Sequence, residues 1–271
     1  MAENKVVAVD LGGTNLRVAL VQRNKILKYI KVVTPKTEEA LKKALVDNIN
    51  KLITKDVKWI GMGSPGPLKN GVILNPPNLP LKNFNLKKYL ENKFKVRVEV
   101  ENDARCVALA ESKLGCKKKN FIILTLGTGI GGGIIINNEP YKGEDYGGEL
   151  GHIVLDNGRY LENLWKEHRK LSQKYYGKVL LVADLLKIKD KRAKEILEQT
   201  SLYLGQGIAS LINIFDPEIV ILSGGIKETG QVFLNMIKKQ VKKYVALPKT
   251  TPIEWTKLKH PGILGAGLLM R

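Results

Sequence analysis

The sequence predicts an α/β protein of two lobes, each opening on an antiparallel β-meander. Three observations carry this. Apolar stretches at 6–9, 16–21 and 26–33 are separated only by turn residues, so three strands form before any helix can. Strand-like and helix-like segments alternate afterwards, which is the pattern of an α/β chain. The text from Ile123 to Gly129 also repeats the text from Val7 to Thr14, with Leu126 standing where Leu11 stands. A duplicated β-β-β-α unit explains a repeat that returns at the start of each half.

The elements follow in order. Between the first two strands lies Leu11-Gly12-Gly13-Thr14, and between the next two Arg23-Asn24-Lys25. Apolar residues at Ala40, Leu41, Ala44, Leu45, Ile49 and Leu52 recur at helical spacing, so 37–53 is expected as a helix starting at Thr37 with Glu38 and Glu39 in its first turn. A buried strand at 57–62, a rigid loop at 63–67, a helix at 86–94, a strand at 96–100 and a helix at 104–114 complete the first lobe. The second opens at Phe121 with strand, glycine-rich turn and strand. Helices fill 161–211, a strand ending in Ser223-Gly224-Gly225 follows, then a helix at 232–244, a strand at 252–255 and a terminal helix at 263–270. The expected division is a small lobe over 1–103, with 260–271 packing back on it, and a large lobe over 104–259 carrying the nucleotide site. No low-complexity linker joins them.

Composition narrows the function classes. With 271 residues, 44% hydrophobic and 26% charged, the chain can bury a core without staples. Lys+Arg 45 against Asp+Glu 26 gives a net charge of +19. Such a surface invites polyanions, including nucleotides and polyphosphate, and a solvated lysine-rich surface is the plain alternative. The lysines lie in short groups with no interleaved aromatics, so no nucleic-acid partner is expected. Cys106 and Cys116 are the only cysteines and form no Cys-x-x-Cys pair, as in a reducing compartment. A strand pattern begins at Val6, leaving no room for a signal peptide, and the uncharged stretch 120–138 is too rich in glycine for a spanning helix. The expectation is a cytoplasmic protein without membrane attachment.

Five motifs carry chemistry. In Asp10-Leu11-Gly12-Gly13-Thr14-Asn15, a tight turn offers backbone N–H groups to an anion, glycine lets a phosphate approach, and the Asp10 carboxylate can hold Mg²⁺ directly or through water. A ligand-free hairpin turn is equally open. Leu126-Gly127-Thr128-Gly129-Ile130-Gly131-Gly132-Gly133 holds more glycine than a hairpin needs. Its G-x-G-x-x-G string runs into Ile134-Ile135-Ile136, a strand, so it fails the context of a dinucleotide fingerprint. Ser223-Gly224-Gly225 is a strand-to-helix turn with close backbone approach. Glu101-Asn102-Asp103-Ala104 follows a strand and opens a helix; it reads either as a plain N-cap or as a carboxylate base beside an amide that can donate and accept. Glu149-Leu150-Gly151-His152 places a carboxylate and an imidazole three residues apart, able to converge on one polar ligand or to form an ordinary turn.

In this order over one chain, these motifs resemble the ROK sugar kinases of the sugar kinase/actin/Hsp70 superfamily. Gly61-Met62-Gly63-Ser64-Pro65-Gly66 and Asn75-Pro76-Pro77-Asn78-Leu79 add to the likeness, which runs from about Val6 to about Leu269. The resemblance implies two actin-like (ribonuclease H-like) lobes around a central cleft, with ATP and Mg²⁺ as cofactors, a sugar between the lobes, and a homodimer by analogy. It implies Asp103 as general base and Gly66, Asn78, Asn102, Glu149, His152 and Glu162 as sugar contacts. It implies Asp10 (with the metal), Gly12, Gly13, Thr14, Asn15, Thr128, Gly129, Gly131, Gly224 and Gly225 around the phosphates.

The implied reaction is phosphorylation of an aldohexose 6-hydroxyl, glucose first, with N-acetylmannosamine, N-acetylglucosamine or fructose as alternatives and polyphosphate as an alternative donor. Some relatives are sugar-binding repressors with a helix-turn-helix ahead of the lobes; here the first phosphate turn comes at residue 10, so no such module is expected. One departure stands out. Many members carry a cysteine-rich zinc loop after Glu-x-Gly-His, whereas 153–162 contains no cysteine, so no structural zinc is expected.

Overall fold

The computed structural model describes residues 5–76 and 78–270; Pro77 of the Asn-Pro-Pro-Asn motif, residues 1–4 and Arg271 lie outside the described residues. In chain order the elements are β1 (Lys5–Leu11), β2 (Asn15–Gln22), β3 (Lys25–Val33), α1 (Glu38–Asn50), β4 (Val57–Ser64), three two-residue strands β5 (Leu68–Lys69), β6 (Val72–Ile73) and β7 (Phe84–Asn85), α2 (Leu86–Phe94), β8 (Arg97–Asn102) and α3 (Asp103–Leu114). They continue as β9 (Phe121–Leu126), β10 (Ile130–Ile136), β11 (Glu139–Pro140), β12 (Val154–Asp156), β13 (Arg159–Tyr160), α4 (Leu161–Tyr176), α5 (Val182–Leu185), α6 (Lys191–Phe215), β14 (Ile219–Ser223), α7 (Gly230–Tyr244), β15 (Ile253–Trp255) and α8 (Pro261–Ala266).

Two compact units result. The first contains Met1–Lys117, Glu139–Gly147 and Leu258–Arg271; the second contains Lys118–Asn138 and Gly148–Lys257. In the first, the sheet order is β3-β2-β1-β4-β8. β1 and β2 pair antiparallel, β2 and β3 likewise, and β1, β4 and β8 run parallel. One face packs Leu41, Leu45 and Ile49 of α1 and Leu86 and Leu90 of α2 on Val7, Val9, Ile60 and Val98. The other carries α8 and α3, whose Ile263, Ala266 and Cys106 pack on Ala8, Ala19 and Val21. That contact is close because the facing residues are small. A Cβ on Gly61 would meet the Ala266 carbonyl at 1.8 Å, and one on Gly265 would meet the Cys106 carbonyl at 1.7 Å. The units break after Lys117 and not at 103/104, since Asp103 opens α3 and α3 packs on β4, β8 and α8.

The second unit repeats the plan. Its sheet runs β10-β9-β14-β15, with β9 and β10 antiparallel and β9, β14 and β15 parallel. Long helices α4, α6 and α7 bury Leu161, Leu204, Ile208, Phe233 and Ile237 on this sheet. The helical stretch expected over 161–211 is interrupted at Gly177, which caps α4 in the left-handed region at φ 68°. The terminal helix starts at Pro261, where a fixed φ and a missing N–H suit the first helical position, and ends at Ala266, short of 270. Within the segment 153–162, residues 154–160 form a β-hairpin of β12 and β13, and Leu161 and Glu162 open α4. Its two-residue turn is Asn157-Gly158, with φ 47° and 74°, as a type I′ turn requires.

Candidate active site

In the first unit the site residues gather at the carboxyl ends of three parallel strands. Asp10 of β1 stands beside Gly63 of β4, and Gly63 beside Glu101 of β8. Ligand sites of α/β sheets form at this edge. Asn102 ends β8 and caps α3: its Oδ1 accepts from Ala104 N–H at 2.9 Å and Arg105 N–H at 3.1 Å, which leaves the amide Nδ2 as the donor. Asp103 is the first residue of α3, and its Oδ1 accepts from Ala104 N–H at 2.8 Å. Negative charge is favoured at that end of a helix. Gly63 permits the approach, since a Cβ there would lie 3.3 Å from Asp103 Cα and from Cys106 Sγ.

The turn after β1 is tied back to the chain. Gly12 N–H donates to the Asn15 carbonyl at 3.0 Å. The Gly12 carbonyl accepts from Thr34 Oγ1 at 2.6 Å, and the Gly13 carbonyl from Lys36 Nζ at 2.8 Å. Gly13 also admits the Asn-Pro-Pro-Asn loop, because a Cβ there would fall 2.6 Å from Asn78 Cβ. Gly66, at φ 87°, turns against Pro76 of the same loop. Asp10 Oδ2 accepts from Arg17 Nη1 at 2.8 Å. Burial pushes the Asp10 carboxyl up, Arg17 and His260 pull it back, and the net shift is upward. One partly buried carboxylate, with Oδ2 on Arg17 and Oδ1 beyond that bond, fits Mg²⁺ held mainly by water and phosphate oxygens. No cluster of three or more His, Cys, Asp or Glu suited to a metal occurs among the described residues.

In the second unit, Gly127 to Gly129 form the turn between β9 and β10, closed by Gly127 N–H donating to the Gly129 carbonyl at 3.0 Å. Thr128 and Gly129 lie in it, whereas Gly131 lies in the β10 ladder opposite Thr125. One face of α4 holds this turn. Trp165 Nε1 donates to the Gly127 carbonyl at 3.1 Å, with Arg169 Nη2 at 3.4 Å, and Glu162 Oε2 accepts from Ile130 N–H at 2.8 Å. Gly224, at φ 101°, follows β14 and lies against β9: a Cβ there would meet the Leu126 carbonyl at 2.3 Å. Gly225 begins the 3₁₀ turn that follows. Glu149 and His152 do converge, with Nδ1 to Oε2 at 3.4 Å, and both side chains are exposed. The Tyr160 ring stands edge-on to His152 at 5.4 Å. Gly132 and Gly151 let this segment lie on β10.

Sequence reasoning missed several residues. Glu101, inside a recognised motif, is almost buried and binds Arg105 at 2.9 Å and Lys142 at 2.7 Å while accepting from Asn102 N–H at 2.8 Å. Arg105 reaches the Asp145 carbonyl at 2.7 Å, so this network fastens the start of α3. The Glu101–Arg105 spacing on a helix start was the available signal. Thr34, Lys36, Trp165 and Arg169 carry no motif. Tyr160 was readable only through the Asn157-Gly158 hairpin signal.

The ROK family model matches residues 6–171 and 158–271. The glucokinase of Thermotoga maritima is 31% identical over 314 aligned residues, covering 100% of this chain and 98% of that protein. The xylose repressor of Bacillus spizizenii is 32% identical over 226 residues, covering 75% of this chain and 59% of that protein. Among solved structures, a ROK family glucokinase from Streptomyces griseus, in complex with glucose and AMPPNP, superposes with a TM-score of 0.87 at 25% identity, covering 98% of each chain.

Proposed function

The chain belongs to the ROK family, has its actin-like α/β fold and is an ATP-dependent sugar kinase, and on that premise we propose that it phosphorylates the 6-hydroxyl of an aldohexose, glucose first. The observation that carries the reading is the placement of Asp10 and Asp103 around Gly63, at the carboxyl ends of the three parallel strands of one sheet. Two carboxylates, one near the end of β1 and one just beyond β8 with β4 between them, serve two tasks: one lies with the turn proposed for phosphate, the other with the acceptor.

Phosphoryl transfer through a loose transition state demands positioning and charge neutralisation more than a strong base. In the proposed mechanism Asp103 orients the sugar hydroxyl and then accepts its proton as the hydroxyl oxygen bonds to the γ-phosphorus and the bond from that phosphorus to the β–γ bridging oxygen breaks, releasing ADP. Asn102 donates its Nδ2 hydrogens to a neighbouring sugar oxygen, since its Oδ1 is used by α3. Gly66 and Asn78 border the same acceptor through the loop packed on Gly13. Glu149, His152 and Glu162 are proposed as further hydroxyl ligands. Gly12, Gly13, Thr14 and Asn15, with Thr128, Gly129, Gly131, Gly224 and Gly225, are proposed around the nucleotide. Mg²⁺, when bound at Asp10, offsets phosphate charge.

The test is a sugar panel at fixed ATP (glucose, mannose, fructose, N-acetylmannosamine) with Asp103→Ala alongside wild type. Glucose should give the highest kcat/KM, and Asp103→Ala should lower kcat by about 10²- to 10⁴-fold with glucose still bound. A preference for the acetamido sugar overturns the choice of glucose, and near-normal turnover by the variant overturns Asp103.

A further inference from the structure

We propose that Thr34 in the first unit and Trp165 in the second, helped by Lys36 and Arg169, are positioning residues that set the peptide planes of the two glycine turns for phosphate; this rests on the nucleotide-binding reading above. A trans peptide is planar, so its C=O and the following N–H point in opposite directions. Fixing the carbonyl therefore aims the N–H. Trp165 Nε1 holds the Gly127 carbonyl at 3.1 Å, and the N–H in that plane belongs to Thr128. Thr34 Oγ1 holds the Gly12 carbonyl at 2.6 Å, and the N–H in that plane belongs to Gly13. Lys36 on the Gly13 carbonyl aims Thr14 N–H in the same way.

These planes need holding because glycine turns them freely. A Cβ built on Gly127 meets nothing within 4 Å, so packing does not fix that peptide. The flipped plane would present a carbonyl oxygen to an anion, which repels it. Trp165 is 3% exposed and Thr34 1% exposed, so each donor is locked by its surroundings. Both turns thus use one device, a buried side-chain donor on the carbonyl that precedes the N–H. Arg169 adds a guanidinium at the second turn, and its Nε is buried without a hydrogen-bond partner among the described residues. None of the four lies in a glycine motif.

The test measures AMPPNP affinity by calorimetry for the full chain and for Thr34→Val, which keeps side-chain bulk, and Trp165→Phe, which keeps an aromatic ring; each removes the donor. Glucose affinity is measured in parallel without nucleotide. Each variant should bind AMPPNP about three- to tenfold more weakly, as expected for one hydrogen bond, with glucose affinity unchanged within about twofold. Wild-type AMPPNP affinity in both folded variants overturns the proposal, and so does an equal loss for glucose, the mark of general structural damage. Should Trp165→Phe not fold, Thr34→Val and Arg169→Gln decide by the same criteria. If wild type itself binds no AMPPNP, the nucleotide-turn reading fails and this proposal with it; binding by wild type with unaffected variants removes only the positioning role.

Discussion

Glu162, at the start of α4, and Ile130, at the start of β10, are joined by a hydrogen bond in which Ile130 N–H donates to Glu162 Oε2 at 2.8 Å. The other oxygen, Oε1, accepts from Lys166 Nζ at 2.5 Å. Gly129 makes room, since a Cβ there would lie 2.2 Å from Oε2. The carboxylate proposed for a sugar hydroxyl is therefore also a fixture of the turn proposed for phosphate.

Glu162→Ala leaves a buried N–H without its acceptor, because Ile130 is 4% exposed. The expected cost is about 1–3 kcal/mol, read from urea unfolding. Glu162→Gln keeps an acceptor oxygen and should recover most of that stability while raising the KM for sugar. Unchanged stability in the alanine variant would show that the bond contributes nothing.

Tyr160 should matter through His152. Its ring is edge-on to the imidazole at 5.4 Å, and it sits on β13 in the hairpin formed by 154–160. Such a ring contact is worth about 0.5–1.5 kcal/mol. Tyr160→Ala should raise the sugar KM about two- to tenfold with kcat retained, and Tyr160→Phe should behave as wild type. Equal KM values in steady-state assays of the two variants would exclude this support.

Much of this was legible in the sequence, and the reason is physical. The meander of β1, β2 and β3 announces itself because apolar alternation and turn residues are local signals. The glycine motifs were legible as turns because glycine between apolar strands is a local turn signal. The partners of those turns were not. Thr34 and Trp165 are ordinary residues whose role appears only when the chain folds Thr34 back to Gly12 and α4 over Gly127. Glu101 reads as part of an N-cap motif until Lys142, distant in sequence, reaches it. The unit boundary after Lys117 was hidden because α3 follows a motif that looks like a divider, and only packing on β4 and α8 assigns it.

Gly13→Ala tests the junction of the first turn with the Asn78 loop. The added methyl would lie 2.6 Å from Asn78 Cβ and 3.3 Å from the Asn78 carbonyl oxygen, so the loop must shift. A shift of about 1 Å in a positioned ligand costs up to about 10²-fold. The kcat/KM for glucose should fall on that scale, while Gly177→Ala, in open space at the end of α4, alters only stability. Normal kcat/KM in Gly13→Ala, measured in a coupled assay, would separate the loop from the site.

His168 predicts an acid-side loss of stability centred on α4. The residue is 1% exposed, its ring lies tilted against Trp165 with centroids 4.6 Å apart, and its Nδ1–H donates to the Trp165 carbonyl. Burial is the main cause that holds its pKa down, to about 4 from 6.5; the Trp165 carbonyl opposes this and Arg169 assists it. Between those values the unfolded chain binds the proton and the native chain does not. Stability is therefore complete above about pH 6.5 and declines as pH falls toward 4, by about 3 kcal/mol in all. Urea unfolding at a series of pH values should show this slope, and His168→Phe, which cannot titrate, should flatten it. Because the same segment of α4 carries Trp165, AMPPNP affinity should weaken in wild type over the lower part of that range, and a slope identical in wild type and variant would assign the acid sensitivity to other groups.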